Sequence, residues 1–164
     1  MAIADDIALI KRQEQELVLP GLDEHVAFAL GSAIRQRAVE DGLGIVVDIR
    51  TWDRQLFFAA TPGTAADNAE WVRRKVNTVR RYQKASYRIS LENDGAFVFP
   101  TLMGADPADF VIAGGGFPLR VANAGIVGCL TISGLDQRDD HRLAVDALCD
   151  HLGVERGLYA LPPK

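Results

Sequence analysis

The order of helical and β-rich segments in the sequence predicts an α/β (α+β) fold in a single domain spanning residues 1–164. Three observations support this prediction. Apolar residues recur at helical spacing near both ends of the chain and in its middle. Two β-rich runs four residues apart indicate a hairpin at residues 45–60, and a glycine-rich arm at residues 110–133 contains further β-rich runs. Helices and strands that share one core are typical of a layered mixed domain.

The overall composition is that of an ordinary globular protein, with 48% apolar and 24% charged residues. The formal net charge of -4 argues against nucleic-acid binding, which generally uses a basic surface. We expect no membrane association and a cytoplasmic location, because the sequence shows no secretory signal and no apolar run of the ~20 residues that a bilayer crossing needs. The two cysteines, Cys129 and Cys149, lie in apolar runs and are expected to be buried thiols.

The first quarter of the chain predicts two helices joined by an extended connector. Apolar residues at helical spacing indicate an N-terminal helix over residues 1–16. Residues 17–20 form the connector, which Pro20 and Gly21 end. Asp23 can cap a second helix, and the turn signal at Asp41-Gly42 ends it.

A hairpin follows, with strands at Ile45–Arg50 and Gln55–Ala60. Asp48 interrupts the otherwise apolar first strand, so its carboxylate either faces solvent or finds a partner. Solvent is the simpler expectation.

A third helix is predicted at residues 65–84, and its surface is strongly basic. No acidic residue occurs between Trp71 and Leu91. Such a run is generally a solvated helix face. The alternative is a site for an anionic ligand or for an acidic patch on a partner subunit, because arginines fork onto carboxylates. The cations of the run are Arg73, Arg74, Lys75, Arg80, Arg81, Lys84 and Arg88.

The segment between this helix and the glycine-rich arm gives weaker signals. Residues 86–94 alternate like a strand but also fit a helical turn. Residues 95–107 contain two prolines and two glycines, which predicts a loop with an extended apolar piece at residues 97–99.

The glycine-rich arm is expected to hold β-structure at residues 110–113, 118–121 and 126–133. Its three consecutive glycines, Gly114 to Gly116, permit positive φ and close approach of a backbone or a ligand. The spacing G-x-G-x-x-G is missing, and a β-rich run follows where a helix should open, so this arm is not the dinucleotide-binding fingerprint. The pattern fits a hairpin turn or bulge. It also fits a lip of backbone that binds a ligand.

The last helix is expected to begin at Asp136, which can cap it, and to stop at Gly153. Counting back four residues from Val145 places His141 on the inward side of the first turn. This histidine is therefore either a satisfied buried side chain or one that contacts a ligand or transfers a proton. Residues 154–164 are expected to form an irregular tail.

Several separated motifs resemble the haem-degrading-domain family (GlcG/HbpS-like), in particular its branch of small proteins of about this length. Together they cover most of residues 17–153 in order. The matching residues are D-E-H-V-A-F-A-L-G from Asp23, D-N-A-E-W-V-R-R-K from Asp67, K-A-S-Y from Lys84, G-G-G-F-P-L-R from Gly114 and V-G-C-L-T-I-S-G-L-D-Q-R-D-D-H from Val127.

The resemblance implies a profilin-like fold, in which an antiparallel sheet of about five strands has helices packed on its faces. It also implies homodimers or higher oligomers. Some relatives bind or degrade haem, but no haem-iron ligand can be mapped onto this sequence. Where the branch commonly shows two serines after the lysine, this chain has Ala85-Ser86, so any role of the first hydroxyl is lost.

The first functional hypothesis is the binding of haem or another small anionic ligand near the lip at residues 114–120 and the start of the last helix. Lys75, Lys84 and Arg120 would neutralise propionates or another anion, Phe117 would stack, and His141 would touch iron or shuttle a proton. No pattern in the sequence requires a bound cofactor, and the CxxCH motif for covalent haem attachment is absent. No residue is predicted to be catalytic or to bind a metal, and whether the protein is an enzyme is left open. The candidate ligand-binding residues are Lys75, Lys84, Ser86, Gly114, Gly115, Gly116, Phe117, Arg120 and His141.

The second hypothesis is a non-enzymatic oligomeric interaction module. In it the basic helix meets an acidic surface, such as residues 136–140, on another subunit, with Trp71 and Tyr82 as anchors. A third hypothesis, a hydrolase using Ser133 with His141 and an Asp, is disfavoured, because no G-x-S-x-G motif occurs.

Overall fold

The computed structural model describes residues 2–163, in which five helices surround one five-stranded sheet. The strands are β1 (Val18–Leu19), β2 (Val46–Thr51), β3 (Gln55–Ala60), β4 (Gly116–Val121) and β5 (Gly125–Ser133). The helices are α1 (Ala2–Glu16), α2 (Glu24–Glu40), α3 (Ala66–Tyr82), α4 (Ser86–Glu92) and α5 (Gln137–Leu152). Short 3₁₀ turns occur at Thr101–Met103 and Arg156–Leu158. None of the helices within these residues has both the length and the apolar character needed to cross a membrane.

The strand order is β1-β4-β5-β2-β3. The pairs β2–β3, β2–β5 and β4–β5 are antiparallel, whereas the short β1 runs parallel to β4. The predicted fold class and the sheet of about five strands are therefore confirmed, with one parallel pair at the edge. The connector predicted at residues 17–20 supplies this extra strand, because Val18 and Leu19 align with the end of β4.

Helices cover both faces of the sheet, as the resemblance implies. On one face, α3 packs against β5 and β4 through a small cluster that includes Val72, Val76 and Cys129. On the other face, α2 and α5 pack on the main core, which contains sheet residues such as Ile49 and Leu130. Because side chains alternate along a strand, β2 and β5 each contribute residues to both clusters.

Two local expectations, at residues 110–113 and at Asp48, are corrected, and one ambiguous segment is decided. Phe110–Ala113 forms no strand, although Val111 and Ile112 are buried, because packing rather than a strand ladder covers them. The ambiguous segment 86–94 forms helix α4.

Asp48 does not face solvent. It is 0% exposed, and the guanidinium of Arg50 donates to both of its carboxylate oxygens at 2.7 Å. Gln55 donates a further hydrogen bond at 2.5 Å. The charge is tolerated inside the strand because each oxygen has a donor.

Candidate functional site

A bend at Gly114 and Gly115 leads the chain into β4 and lies against β5 and α5. The Gly114 N–H donates to Oε1 of Gln137 at 3.0 Å, and the carbonyl oxygen of Gly115 accepts from the Ile132 N–H at 3.0 Å. Gly115 has a φ of 129°, and a Cβ there would lie 2.2 Å from the carbonyl oxygen of Ile132. Both the backbone angle and the lack of space therefore require glycine at this position.

A buried ion pair joins α3 to α5 beneath this bend. Nζ of Lys75 lies 3.3 Å from Oδ2 of Asp140 and donates to the Ile132 carbonyl oxygen at 3.0 Å. Each of the two paired side chains is only 3% exposed. The N–H groups of Gly134 and Leu135 donate to the same carboxylate at 3.3 and 2.9 Å. Asp140 is thus held by one ammonium and two backbone donors.

Burial dominates the electrostatics of this pair. It raises the pKa of Asp140 to about 6, although Lys75 and the Leu135 N–H act in the opposite direction. It also lowers the pKa of Lys75, against the attraction of Asp140. Both changes favour the neutral forms, because a buried charge loses its hydration. Titratable groups with shifted pKa values beside a cleft are candidates for a functional site.

An open cleft with a volume of about 280 Å³ is lined in part by this ion pair. Two aromatic side chains, Trp71 of α3 and Phe97 of the loop after α4, form one wall, with ring centroids 6.5 Å apart and ring planes at 83°. The complete lining consists of Asp67, Asn68, Trp71, Lys75, Phe97, Ala113, Gly114, Ser133, Gly134, Leu135, Gln137 and Asp140.

The cleft offers an aromatic wall to an apolar ring and one cation, Lys75, to an anionic group, beside the carboxylates of Asp67 and Asp140. The ring would lie against the aromatic wall, and the anion would approach the Lys75 ammonium. Among the described residues that line the cleft, none is His, Cys or Met. Residues 2–163 also contain no group of three or more His, Cys, Asp or Glu side chains that could hold a metal ion.

The structure brings together part of the predicted site. Lys75 and Gly114 line the cleft. Gly115, Gly116 and Ser86 are buried behind it, where the Gly116 N–H donates to Oγ of Ser86 at 3.0 Å. Ser86 therefore supports the bend and does not open into the cleft.

Two predicted cations lie apart from the cleft and have other partners. Lys84 is paired with Glu92 at 3.3 Å. Nε of Arg120 donates to the carbonyl oxygen of Glu14 at 3.1 Å. Neither side chain is part of the cleft lining.

His141 is completely buried, with 0% exposure. Its Nε2 lies 2.8 Å from Oε1 of Gln13, and its ring contacts those of Tyr87 and Phe117, with centroids 5.3 and 5.8 Å away. Burial, together with the nearby Arg138, lowers the pKa of His141 to about 3, so the ring is neutral near pH 7. Because His141 and Phe117 are 0% and 1% exposed, a ligand could reach them only if the surrounding core packing opened.

Asp140, Trp71 and Phe97 line the cleft but are not among the ligand-binding residues predicted from the sequence. The sequence does contain a signal that Asp140 is buried. Asp140 precedes Ala144 by four residues and Leu148 by eight, so it lies on the apolar face of α5. The contact of Trp71 with Phe97 depends on the path of the loop after α4, and the spacing of apolar residues in the sequence does not predict that path.

The basic surface of α3 is partly covered by the loop at residues 96–110. Arg73 binds Asp109 at 3.1 Å and the Ala108 carbonyl oxygen at 2.8 Å. The guanidinium of Arg74 lies 4.5 Å from the centre of the Trp71 ring. The partners of these two arginines therefore lie in α3 itself and in this loop of the same chain.

Comparison with known proteins gives a consistent result. A family model described as haem degrading protein HbpS-like matches residues 22–149. A UPF0303 protein of Mesorhizobium japonicum is 55% identical over 96% of both chains. A UPF0303 protein of Brucella melitensis is 52% identical over 99% of both.

Solved structures share the fold at lower identity. The crystal structure of Ybr137w has a TM-score of 0.83 at 24% identity and covers 93% of each chain. HbpS has a TM-score of 0.64 at 22% identity, covering 80% of this chain and 90% of HbpS. A PduOC:Heme complex has a TM-score of 0.65 at 23% identity, covering 79% of this chain and 94% of PduOC.

Proposed function

This chain belongs to the HbpS-like family of haem degrading proteins, and from that premise we propose that it binds haem or a similar anionic aromatic ligand in the cleft between α3 and α5. The observation that carries this proposal is the Lys75 ammonium at the lining of a cleft with an aromatic wall. A structural relative, PduOC, was crystallised as a haem complex, which supports haem as the ligand to test first.

The residues of the cleft are suited to contact the porphyrin ring and a propionate of haem, and they are not suited to bind its iron. Trp71 and Phe97 would contact the porphyrin ring, and Lys75 would attract a propionate. Haem iron is generally held by His, Cys, Met or Tyr, none of which occurs among the described residues of the lining. Bound haem would supply redox chemistry at its iron, while the protein would orient the ring and neutralise one carboxylate. Because the cleft is open and small, bound haem would stay partly exposed to solvent.

Replacing Phe97 by alanine is expected to weaken hemin binding roughly tenfold, because the ring loses one aromatic contact. Phe97 is 52% exposed, so its removal should leave the fold intact. Titration of the purified protein with hemin, followed by the Soret band, measures the change. Trp71→Ala should weaken binding by a similar factor.

The matched control is Phe58→Ala, which removes a phenylalanine that is 43% exposed and lies outside the cleft. Hemin affinity should be unchanged in this variant. Equal losses in Phe97→Ala and Phe58→Ala would show unspecific binding to exposed apolar surface. Absence of a saturable shift in the unmodified protein would eliminate haem as the ligand.

Anion binding in the cleft is expected to strengthen as the pH falls from 7 to 5. The pKa of Asp140 is about 6, so below that value its carboxyl becomes neutral and leaves the Lys75 ammonium uncompensated. We expect roughly a three- to tenfold gain in affinity across this range, since one protonation is coupled to binding. Anilinonaphthalene sulfonate is a suitable fluorescent probe, because its sulfonate stays ionised throughout.

Asp140→Asn is the control for this pH dependence. It removes the titrating group but keeps a side-chain oxygen that can accept from the Leu135 N–H. Its affinity for the probe should be independent of pH between 5 and 7. A pH profile in Asp140→Asn that equals that of the unmodified protein would assign the effect to another group.

A second candidate function is that of a self-associating module. It is favoured by large apolar side chains on the surface, among them Phe28, Val39 and Phe58, which are 67%, 49% and 43% exposed. Homo-oligomers generally bury such side chains between subunits. The predicted interface through Trp71 and Tyr82 is less favoured, because these rings pack on Phe97 and Phe99 of their own chain.

A further inference from the structure

The buried Lys75–Asp140 pair can pass a proton directly between its two members, because Nζ of Lys75 donates to Oδ2 of Asp140 at 3.3 Å. Burial lowers the pKa of Lys75 and raises that of Asp140, so both changes favour a neutral amine beside a neutral acid. The thiol of Cys129 also acts on Lys75, but burial raises the pKa of that thiol to about 12, so it stays protonated near neutral pH. The pair therefore supplies a nucleophile together with the acid that received its proton.

The surroundings of Lys75 suit a flat molecule without charge. Lys75 and Asp140 both line the cleft whose wall is formed by the rings of Trp71 and Phe97. The other charged side chain of the described lining is the carboxylate of Asp67, which would repel an anion once the amine of Lys75 had reacted. A carbonyl carbon that carries an aromatic ring would meet the amine while its ring lies against the wall.

We propose that Lys75 captures an uncharged aromatic aldehyde in this cleft as an imine, with Asp140 transferring the protons. The nitrogen lone pair attacks the carbonyl carbon, and the acid of Asp140 gives its proton to the carbonyl oxygen, which becomes a hydroxyl. The carboxylate then takes a proton from the nitrogen and gives it to the hydroxyl, which leaves as water while the C=N bond forms. Amine and aldehyde become a protonated imine and water, with no oxidant or reductant, and the imine is paired with the carboxylate.

This capture rests on the proposed function, because it uses the same cleft, but the two activities use different forms of Lys75. Anion binding uses the ammonium, whereas aldehyde capture uses the neutral amine. Hemin binding without reaction at Lys75 would overturn the capture alone. Reaction at Lys75 without hemin binding would overturn the proposed function alone.

Reductive trapping of the unmodified protein at pH 7 tests the capture, with benzaldehyde as the aldehyde and cyanoborohydride to reduce the imine to a stable secondary amine. Peptide mass spectrometry then measures the labelling rate at each lysine. Lys84 is the matched internal control, because its ion pair with Glu92 also measures 3.3 Å but is far more exposed. We expect Lys75 to react roughly tenfold faster than Lys84 or more, since each unit by which its pKa is lower gives tenfold more amine. Accessibility alone predicts the opposite order, and that order would overturn the proposal.

The aromatic wall is tested with one variant and a second aldehyde. Phe97→Ala should slow the labelling of Lys75 by benzaldehyde roughly three- to tenfold, because the bound ring loses a contact, and should leave labelling by formaldehyde unchanged. Phe58→Ala alters a ring outside the cleft and should change neither rate. If Phe97→Ala left the benzaldehyde rate unchanged, the aldehyde would not be bound in the cleft and the proposal would fail.

Asp140→Asn tests the proton transfer, because the two roles open to this carboxyl have opposite effects. If Asp140 transfers protons, its replacement should slow the labelling of Lys75 roughly tenfold or more. If it only holds the ammonium, loss of the counter-charge releases the amine and labelling accelerates, which would overturn the step assigned to Asp140. The comparison of Lys75 with Lys84 uses the unmodified protein, so it stands even if this variant does not fold.

Discussion

Replacing Lys75 by methionine is expected to lower the free energy of unfolding by about 3–5 kcal/mol, because it leaves the carboxylate of Asp140 buried without a counter-ion. The side chains of the pair are each 3% exposed, so water cannot replace the lost ammonium. Methionine keeps much of the length and apolar stem of lysine, which limits any cavity. Urea unfolding followed by circular dichroism measures the loss.

Lys84→Met is the matched control, because the Lys84–Glu92 distance is also 3.3 Å but the side chains are 36% and 28% exposed. Its loss should stay within about 1 kcal/mol, as is usual for surface ion pairs. Replacing both members, as Lys75→Met with Asp140→Leu, should recover part of the stability by removing the unpaired charge. A loss in Lys75→Met no larger than that in Lys84→Met would show that burial of the pair contributes nothing.

The loss in Lys75→Met should also depend on pH. Lys75 opposes the rise in the pKa of Asp140, so without it that pKa moves further above about 6. Between the ordinary pKa of an Asp in the unfolded chain, about 4, and the raised pKa in the folded variant, the folded protein keeps a proton that the unfolded chain has released, so stability falls as the pH rises. Above the raised pKa both states are ionised and the penalty stays constant. Stability should therefore fall more steeply between pH 6 and 8 in the variant than in the unmodified protein.

Helix positions could be predicted from the sequence because their signals are local. Asp23 accepts a hydrogen bond from the Val26 N–H at 2.9 Å and Asp136 from the Arg138 N–H at 3.0 Å, so both predicted caps are confirmed. Gly153 adopts the left-handed conformation that ends α5, also as predicted. Each of these features depends only on residues within one turn of the helix end.

Strand assignment at residues 110–113 was wrong because apolar patterning reports burial and not hydrogen-bond partners. Val111 and Ile112 are buried, yet the carbonyl oxygen of Val111 accepts from Oγ1 of Thr78 at 2.7 Å and not from a neighbouring strand. The same limit applies to the candidate site. Lys75 lies three residues after Val72 and four before Val79, which marks it as the inward-facing cation of the run. Its partner Asp140 is 65 residues away, and no local signal joins the two.

Replacing Gly115 by alanine is expected to destabilise the protein by about 3 kcal/mol or more, because two separate costs add. An L-residue at a φ of 129° is strained, at a cost on the order of 1–3 kcal/mol. The added Cβ would also lie 2.2 Å from the Ile132 carbonyl oxygen and 2.8 Å from Nζ of Lys75. The first neighbour is strand backbone, so relief requires β4 to move away from β5. The cleft should lose its shape as well, and ligand affinity should fall together with stability.

Alanine substitutions at two other glycines measure the backbone strain and the steric collision separately. Gly42 has a φ of 66° with nothing within 4 Å of its Cβ position, so Gly42→Ala measures backbone strain alone and should cost about 1–2 kcal/mol. Gly114 has no positive φ, but its Cβ would lie 2.3 Å from the Gln137 carbonyl oxygen, so Gly114→Ala measures the collision alone. If Gly115→Ala cost no more than Gly42→Ala, the strands would separate easily at this point. The bend would then be a flexible lip and not the rigid support that holds Lys75 and Asp140 in place.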